Sequence, residues 1–429
     1  MTGDSQRYFK YFFAELEARK IPYAILHSYQ NFPEVIPSDI DYVVRNVDLH
    51  RIPVIQGELA AKLGWNLAFQ IEHHVSAFCS ILANAQEPGC VLRLDVCSAY
   101  TEGRCFVADG ATLLLDRRCY KNFYVPSPSA EFIYVLAKLL GKKKSVARYL
   151  SRLRELWQED RAGAQRRFDE LLGDTGASLE TWFERPAEEW SELGRIMRRR
   201  NGYGIELSCR EFGRLLRRVA HPTGLHIALL GSDGVGKSTL LAQVRRTMES
   251  CFPKQQAFHF RPMLFQKNHG APVSDPHARP SRNAVMAFAK VFYYFFDNWV
   301  GWLLRVLPGK WRSALVIFDR NFDDMLVDPR RYRIGGWTGL VRVLRGLLPR
   351  EDLVFVLDAS PEVIHGRKPE LPVAELERQR GELRKLVKND RRYVLVSAEG
   401  VPEEVAAEVC RKIVETVAAR TRRRLGIPE

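Results

Sequence analysis

Apolar positions along the chain repeat with two periods. Over residues 6–20 they recur at helical spacing, then shorten into strand-like runs at Tyr23–Leu26, Ile40–Val44, 75–82 and 91–97, with turn residues at Ala83–Gly89. Residues 1–127 therefore read as a small α+β domain. Over 128–220 the strand signal fades into basic helical text (EFIYVLAKLL, KKKSVARYLSRLRELW, FDELLG, CREFGRLLRRVA), and His221-Pro222-Thr223-Gly224 ends it. Within 221–429 five short β-rich runs alternate with long helical ones: HIALLG (226–231), AFHFRP (257–262), LVIFDR (315–320), LVFVLD (353–358) and YVLVSA (393–398). That alternation predicts an α/β domain, a parallel five-stranded sheet with helices on both faces.

Composition narrows the class. The 429 residues are 46% hydrophobic and 11% aromatic, which excludes disorder and collagen. The net charge of +14 points to an anionic partner: a nucleotide, nucleic acid, a phosphorylated glycan or an acidic membrane surface. The eight cysteines form no CxxC pair and no Cys/His ligand spacing, so zinc and a disulfide framework are not expected and a reducing cytoplasm fits. The first residues show no signal peptide. The most apolar window, Val285–Leu307, is interrupted by Lys290, Asp297, Asn298 and Arg305. It predicts a buried or interfacial helix, with peripheral membrane contact through Trp299 and Trp302 as the alternative.

The chemistry is concentrated after the first C-terminal strand. Gly231, Ser232, Asp233, Gly234, Val235, Gly236, Lys237 and Ser238 fit G-x-x-x-x-G-K-[ST], and Thr239 opens the helical run that follows. Glycines there let successive N–H groups curl toward phosphate oxygens, and the helix start adds partial positive charge. Lys237 is placed to reach the β- and γ-phosphates and Ser238 to ligate Mg²⁺. In LVIFDR, Asp319 and Arg320 end a buried strand, the edge where ligands collect in open α/β sheets. An aspartate there can hold Mg²⁺ and an arginine can grip a phosphate; an ordinary strand terminus is the alternative. Asp233 either faces the acceptor or caps the turn.

GSDGVGKSTLL together with FDRNFDD resembles the thymidylate kinase branch of the nucleoside monophosphate kinases over roughly residues 224–425. The resemblance implies ATP on the loop, Mg²⁺ near Ser238 and Asp319, acceptor phosphate on Arg320, and a lid whose arginines close over the transferred group. The lid candidates lie in HGRKPELPVAELERQR: Arg367, Lys368, Arg378 and Arg380. Arg378 and Arg380, two apart, cannot share a helix face. Asn321 departs from the family's aromatic, and the insertion Met263–Lys310 is long. VDPRRYRIGGW (327–337) and DPHARP (275–280) instead resemble thymidylate kinase-like proteins found among bacterial surface-polysaccharide genes. Arg330, Arg331, Tyr332 and Arg333 make either an anion-recognition patch or a solvated turn.

In YAILHSYQNFPEVIPSDIDYVV, Asp39 and Asp41 fall on one face of a strand, and Asp95 in VLRLDV can complete a cluster for Mg²⁺. With Ser28 they resemble the nucleotidyltransferase superfamily, although His27 stands where that superfamily has glycine. His73 and His74, on opposite strand faces, read as surface and core residues. The leading expectation is an ATP-dependent kinase acting on a nucleoside monophosphate or a sugar or glycan, joined to a nucleotidyltransferase-like domain. The basic stretches at 142–154, 195–200, 210–218 and 420–424 keep nucleic-acid end processing or binding as a second reading, and a nucleotide-sensing module with degenerate chemistry as a third.

Overall fold

The computed structural model of the protein describes residues 3–427 except 37, 142–145, 187 and 263–282, and the side chains of 146–148. The insertion is therefore described only from residue 283 onward, and DPHARP lies outside the described residues. The chain divides into two compact units. One comprises Met1–Asn84, Cys90–Arg218 and Ala418–Glu429; the other comprises Ala85–Gly89 and Val219–Val417.

In the first unit a five-stranded mixed sheet has the order β1-β2-β5-β4-β3. Its strands are β1 (Tyr23–Ile25), β2 (Ile40–Val44), β3 (Trp65–His74), β4 (Ala77–Asn84) and β5 (Val91–Cys97). Two small hairpins follow, β6 (Ala99–Glu102) with β7 (Cys105–Asp109) and β8 (Arg118–Tyr120) with β9 (Phe123–Val125). The helix Gly3–Ala18 buries Tyr8, Phe9, Phe12, Phe13 and Leu16, the spacing that puts one stripe of rings toward the core. Phe13 stacks on Tyr23 with ring centroids 4.6 Å apart. Sequence reasoning missed β3 and the helix Ile52–Lys62, because both lie in one apolar stretch whose period is not decided locally.

The helix Pro128–Gly141 is buried nearly all round, with Phe132, Ile133 and Leu136 in a core shared with Trp182 and Trp190 of later helices. An apolar helix of that kind has to sit at the centre of its unit. The helices of 128–218 belong to this first unit.

The second unit contains a five-stranded sheet in which every pairing is parallel: β10 (Leu225–Leu230), β11 (Gln255–His259), β12 (Leu315–Asp319), β13 (Leu353–Asp358) and β14 (Tyr393–Ser397). Helices flank it. The order β11-β12-β10-β13-β14 places β10, buried at every position, in the middle. Chain direction reverses its lateral course between β12 and β13, both of which adjoin β10, so the crevice beyond their C-terminal ends is the expected ligand site. Leu229, Asp319 and His259 lie abreast there in adjoining strands. The apolar window around residue 290 forms the helix Ala284–Gly301, continued by a π-helical turn at Trp302–Val306. Among the described residues no helix is long and apolar enough to cross a membrane.

Candidate functional site

The loop after β10 has the backbone that its glycines allow. Gly231, Gly234 and Gly236 all have positive φ, at 152°, 88° and 106°. A Cβ on Gly234 would lie 2.8 Å from the Cβ of Lys368, and Gly236 caps the helix Lys237–Thr247 in the left-handed region. Lys237 is buried and folds back over this loop, donating to the carbonyl oxygens of Gly231 at 2.7 Å and Ser232 at 2.8 Å. Burial, with Arg320 nearby, pushes its pKa down to about 8. Ser238 and Thr239 are exposed at the helix start.

Three cations converge on Asp233. Arg320 pairs with its Oδ1, Arg331 with its Oδ2, and Lys237 Nζ lies 3.9 Å away. Burial alone would raise this carboxyl, but Arg320, Lys237 and Arg331 outweigh it and hold the pKa well below the usual range. Arg320 has φ 74°, a left-handed conformation at the strand end that turns its side chain into the site. There Arg320 also bonds Asp324 at 2.9 Å, and the Tyr332 hydroxyl donates to the same Asp324 oxygen at 2.7 Å.

Asp319 is the acidic counterpart. Its Oδ2 lies 3.1 Å from His259 Nδ1, while its Oδ1 is buried with no hydrogen-bond partner among the described residues. Burial opposes ionisation, but the His259 bond and Lys237 more than compensate and lower the pKa. A buried carboxylate oxygen without a donor, beside a glycine loop and a helix start, suits a hard divalent cation. The residues present therefore fit Mg²⁺ at Asp319 and Ser238.

On the other side of the loop, a cavity of about 340 Å³ is lined by Gly234, Gly236, Thr239, Arg367, Ala398 and Pro402, among others. Arg367 donates to Ala398 O at 3.0 Å and lies 3.5 Å from Val235 O, so it closes one wall. Of the other lid candidates, Arg378 donates to Val327 O at 2.9 Å and pairs with Glu375, and Arg380 is held on Asp358 at 2.8 Å. The structure thus gathers Asp233, Lys237, Asp319 and Arg320 at one point and sets Arg367 on the adjacent cavity. Arg378 is bonded elsewhere.

Sequence reasoning missed His259 and Asp324, and left Arg331 undecided. Only the parallel register that sets His259 opposite Asp319 reveals the first. Arg331 is half-buried on Asp233, whereas Arg330 is exposed.

In the first unit Asp41 and Asp95 are paired residues of the parallel strands β2 and β5. Asp41 Oδ2 is surrounded by cations and donors: His27 Nε2 at 2.5 Å, Lys138 Nζ at 3.0 Å and the Tyr134 hydroxyl at 3.1 Å. Burial would raise Asp41, but His27 and Lys138 hold it well below the carboxylate range. Asp95 moves the other way, to about 8, through burial and the facing charges of Asp41 and Asp39. Asp39 is exposed. Among the described residues no group of three or more His, Cys, Asp and Glu is arranged to hold a metal ion. Asp39, Asp41 and Asp95 line one cavity with His73 and Lys138, and in it the Lys138 ammonium sits on Asp41. His27 stacks over Tyr134, and Ser28 has φ 58°, so the turn after β1 is left-handed without a glycine. His74 is buried against Tyr203 and Ser76, while His73 is exposed, 3.4 Å from Asp95.

No protein-family model and no curated protein sequence matches the chain. Among solved structures, a thymidylate kinase from Ehrlichia chaffeensis is 15% identical and covers 44% of this chain and 98% of its own, with a TM-score of 0.32. A likeness at that score carries no argument about the site.

Proposed function

We propose that the C-terminal unit is an ATP-dependent phosphotransferase, a kinase whose acceptor is a nucleoside monophosphate or a sugar or glycan. The observation that carries this reading is the convergence of Lys237, Arg320 and a donorless Asp319 oxygen on a glycine loop at the sheet's ligand-binding edge. Loop N–H groups and the helix start receive the polyphosphate, and Lys237 exchanges its two carbonyl partners for phosphate oxygens. The base occupies the cavity walled by Arg367. Arg320, released from Asp233 by a competing phosphate, orients the acceptor and neutralises charge on the moving group. Asp319 and Ser238 would hold Mg²⁺, which would offset the negative charge developing on the phosphate oxygens. Asp233 keeps Arg320 and Arg331 aimed inward before the ligands arrive.

The acceptor side is rich in cations, with Arg320 and Arg331 backed by Asp324 and Tyr332, and this favours an acceptor that is itself an anion. For the N-terminal unit we propose nucleotidyltransferase-like ancestry without metal-dependent chemistry, because Lys138 and His27 occupy Asp41. The test is a panel of dTMP, other monophosphates and sugar acceptors with labelled ATP. Lys237→Ala should abolish transfer to whichever acceptor is used while leaving the circular dichroism spectrum unchanged. Arg320→Ala should cost about 10²–10³ in turnover. Undiminished turnover in Lys237→Ala would remove the assignment.

A further inference from the structure

The helix Ala284–Gly301 carries its apolar residues on two sides. The inner side packs into the second unit: Val291 and Ala287 are buried, and Lys290 Nζ donates to Tyr332 O at 2.7 Å. Among the described residues nothing covers the outer side. Phe296, Trp299 and Leu303 recur at helical spacing and are 58%, 39% and 47% exposed, and Leu304 follows in the π-helical turn. The neighbouring helix Thr338–Leu347 adds Val343 and Leu347, and Trp299 Nε1 donates to Leu347 O at 3.1 Å, which joins the two helices into one surface. Large side chains bury about 150–250 Å² when fully covered, so these six leave on the order of 500 Å² open. That is near the upper end of the largest patch on an ordinary monomer, and exposed Val285 and Phe288 of the same helix extend it.

The charges around this surface favour one class of partner over another. Between 283 and 350 there is no glutamate; Asp297, Asp323, Asp324 and Asp328 are buried and Asp319 is in the phosphate site. The exposed charges of the same stretch are all arginines, among them Arg305, Arg312 and Arg342. Arg305 directly follows Leu303 and Leu304. With Arg312, Leu304, Phe258 and Gln256 it lines a shallow cleft of about 400 Å³. A second copy of the chain would set arginines of this rim against the same arginines, with no exposed carboxylate from the stretch to answer them. An anionic bilayer answers both features, taking tryptophan and phenylalanine at its interface and arginine at its phosphates.

We propose that this face docks the C-terminal unit peripherally on a lipid bilayer bearing anionic headgroups. Phe296, Trp299, Leu303 and Leu304 enter the interface, and Arg305 and Arg312 hold lipid phosphate at the cleft. The docking is independent of the kinase reading. The helix that docks also supports Tyr332 from behind, so the acceptor side of the phosphate site is built on the membrane-facing element.

The test uses the full chain and sedimentation with vesicles of phosphatidylcholine containing phosphatidylglycerol, against phosphatidylcholine alone. Anionic vesicles should bind at least about tenfold more tightly, since each surface arginine contributes roughly a fivefold factor and two act together. Phe296→Asp combined with Leu304→Asp, both at exposed positions, should abolish binding with an unchanged melting curve. Arg305→Glu with Arg312→Glu should erase the preference for anionic lipid. Brominated lipid should quench fluorescence in the parent protein and do so less in Trp299→Phe. Equal binding to both vesicle types, or full binding by the Phe296→Asp/Leu304→Asp variant, overturns the proposal. So does a dimer in analytical ultracentrifugation that this variant dissociates while vesicles bind neither form. None of these results bears on ATP turnover, which is measured separately in the same variants.

Discussion

Raising the pH from 7 to 9 should weaken ATP binding, and the binding should be accompanied by proton uptake at Lys237. Its ammonium is buried on the carbonyl oxygens of Gly231 and Ser232, with Asp233 at 3.9 Å as a shared and more distant counter-charge. Burial and Arg320 lower the pKa from 10.5 to about 8, a difference worth about 3 kcal/mol. For folding, the native state binds fewer protons than the unfolded chain between pH 8 and 10.5. The cost is therefore complete below about pH 8 and is relieved as the pH rises toward 10.5. A bound polyphosphate reverses the balance by favouring the charged form. At pH 8 the free lysine is about half protonated and the complex fully so, which gives an uptake of about 0.5 proton, rising to about 0.9 at pH 9 and falling to about 0.1 at pH 7. Affinity should drop about tenfold between pH 7 and pH 9, because only the protonated fraction binds well. Calorimetry with a non-hydrolysable ATP analogue, repeated in buffers of different ionisation enthalpy, measures the uptake directly. Lys237→Met should remove both the uptake and the pH slope. Identical heats in all buffers at pH 8 to 9, or the same uptake in Lys237→Met, would refute the placement of this lysine.

Asp319→Asn should reduce Mg²⁺-dependent turnover by about 10²–10³ while leaving metal-free nucleotide binding within a few-fold; equal losses in both would mean that the carboxylate only supports the loop. Gly234→Ala places a Cβ 2.8 Å from that of Lys368 at φ 88°, and urea denaturation should register a loss of about 1–3 kcal/mol. No loss there would show that the loop is not held in this conformation. Arg345 joins Asp323 at 2.9 Å and Glu351 at 2.6 Å inside the second unit. Arg345→Met leaves both acids buried without their cation and should cost about 3–5 kcal/mol. Burial raises Glu351, but Arg345 outweighs it and the pKa is lowered. The stability this pair contributes is therefore present above the usual carboxylate pKa and lost as the pH falls through the lowered one, a dependence that Arg345→Met should flatten.

Much of the second unit was legible in the chain because its signals are local. Five apolar runs separated by helices give five parallel strands, and a glycine loop of the G-x-x-x-x-G-K-[ST] pattern between a strand and a helix needs only eight consecutive residues to be placed. The order of the strands was not legible, since nothing within a strand states which neighbour it takes. His259 illustrates the consequence: it lies sixty residues before Asp319, at the end of a run with no chemical signature, and becomes its partner only through the pairing of β11 with β12. Arg331 follows the same logic. Its sequence neighbourhood, Arg330-Arg331-Tyr332-Arg333, gives each arginine equal weight, and the short helix Pro329–Tyr332 then turns Arg331 toward Asp233 and leaves Arg330 outside.

The first unit shows the opposite limit, because its carboxylates were legible and the bases that partner them were not. Period-two spacing puts Asp39 and Asp41 on one face, and β5 brings Asp95 opposite Asp41, an arrangement that sequence alone reads as a metal centre. The cation that answers Asp41 comes instead from Lys138, ninety-seven residues away, on a helix whose burial disguises its one basic residue as part of an apolar run. Tyr134, one turn earlier on that helix, faces the same oxygen, so Tyr134 and Lys138 form a pair at i, i+4 aimed at one carboxylate. At Asp95, burial and the facing charges of Asp41 and Asp39 outweigh the attraction of Lys138, and the pKa rises to about 8. The two facing acids thus shift in opposite directions because His27 and Lys138 bond Asp41 and burial beside like charge dominates at Asp95, and base partners delivered from distant segments are what a count of acids along the chain does not show.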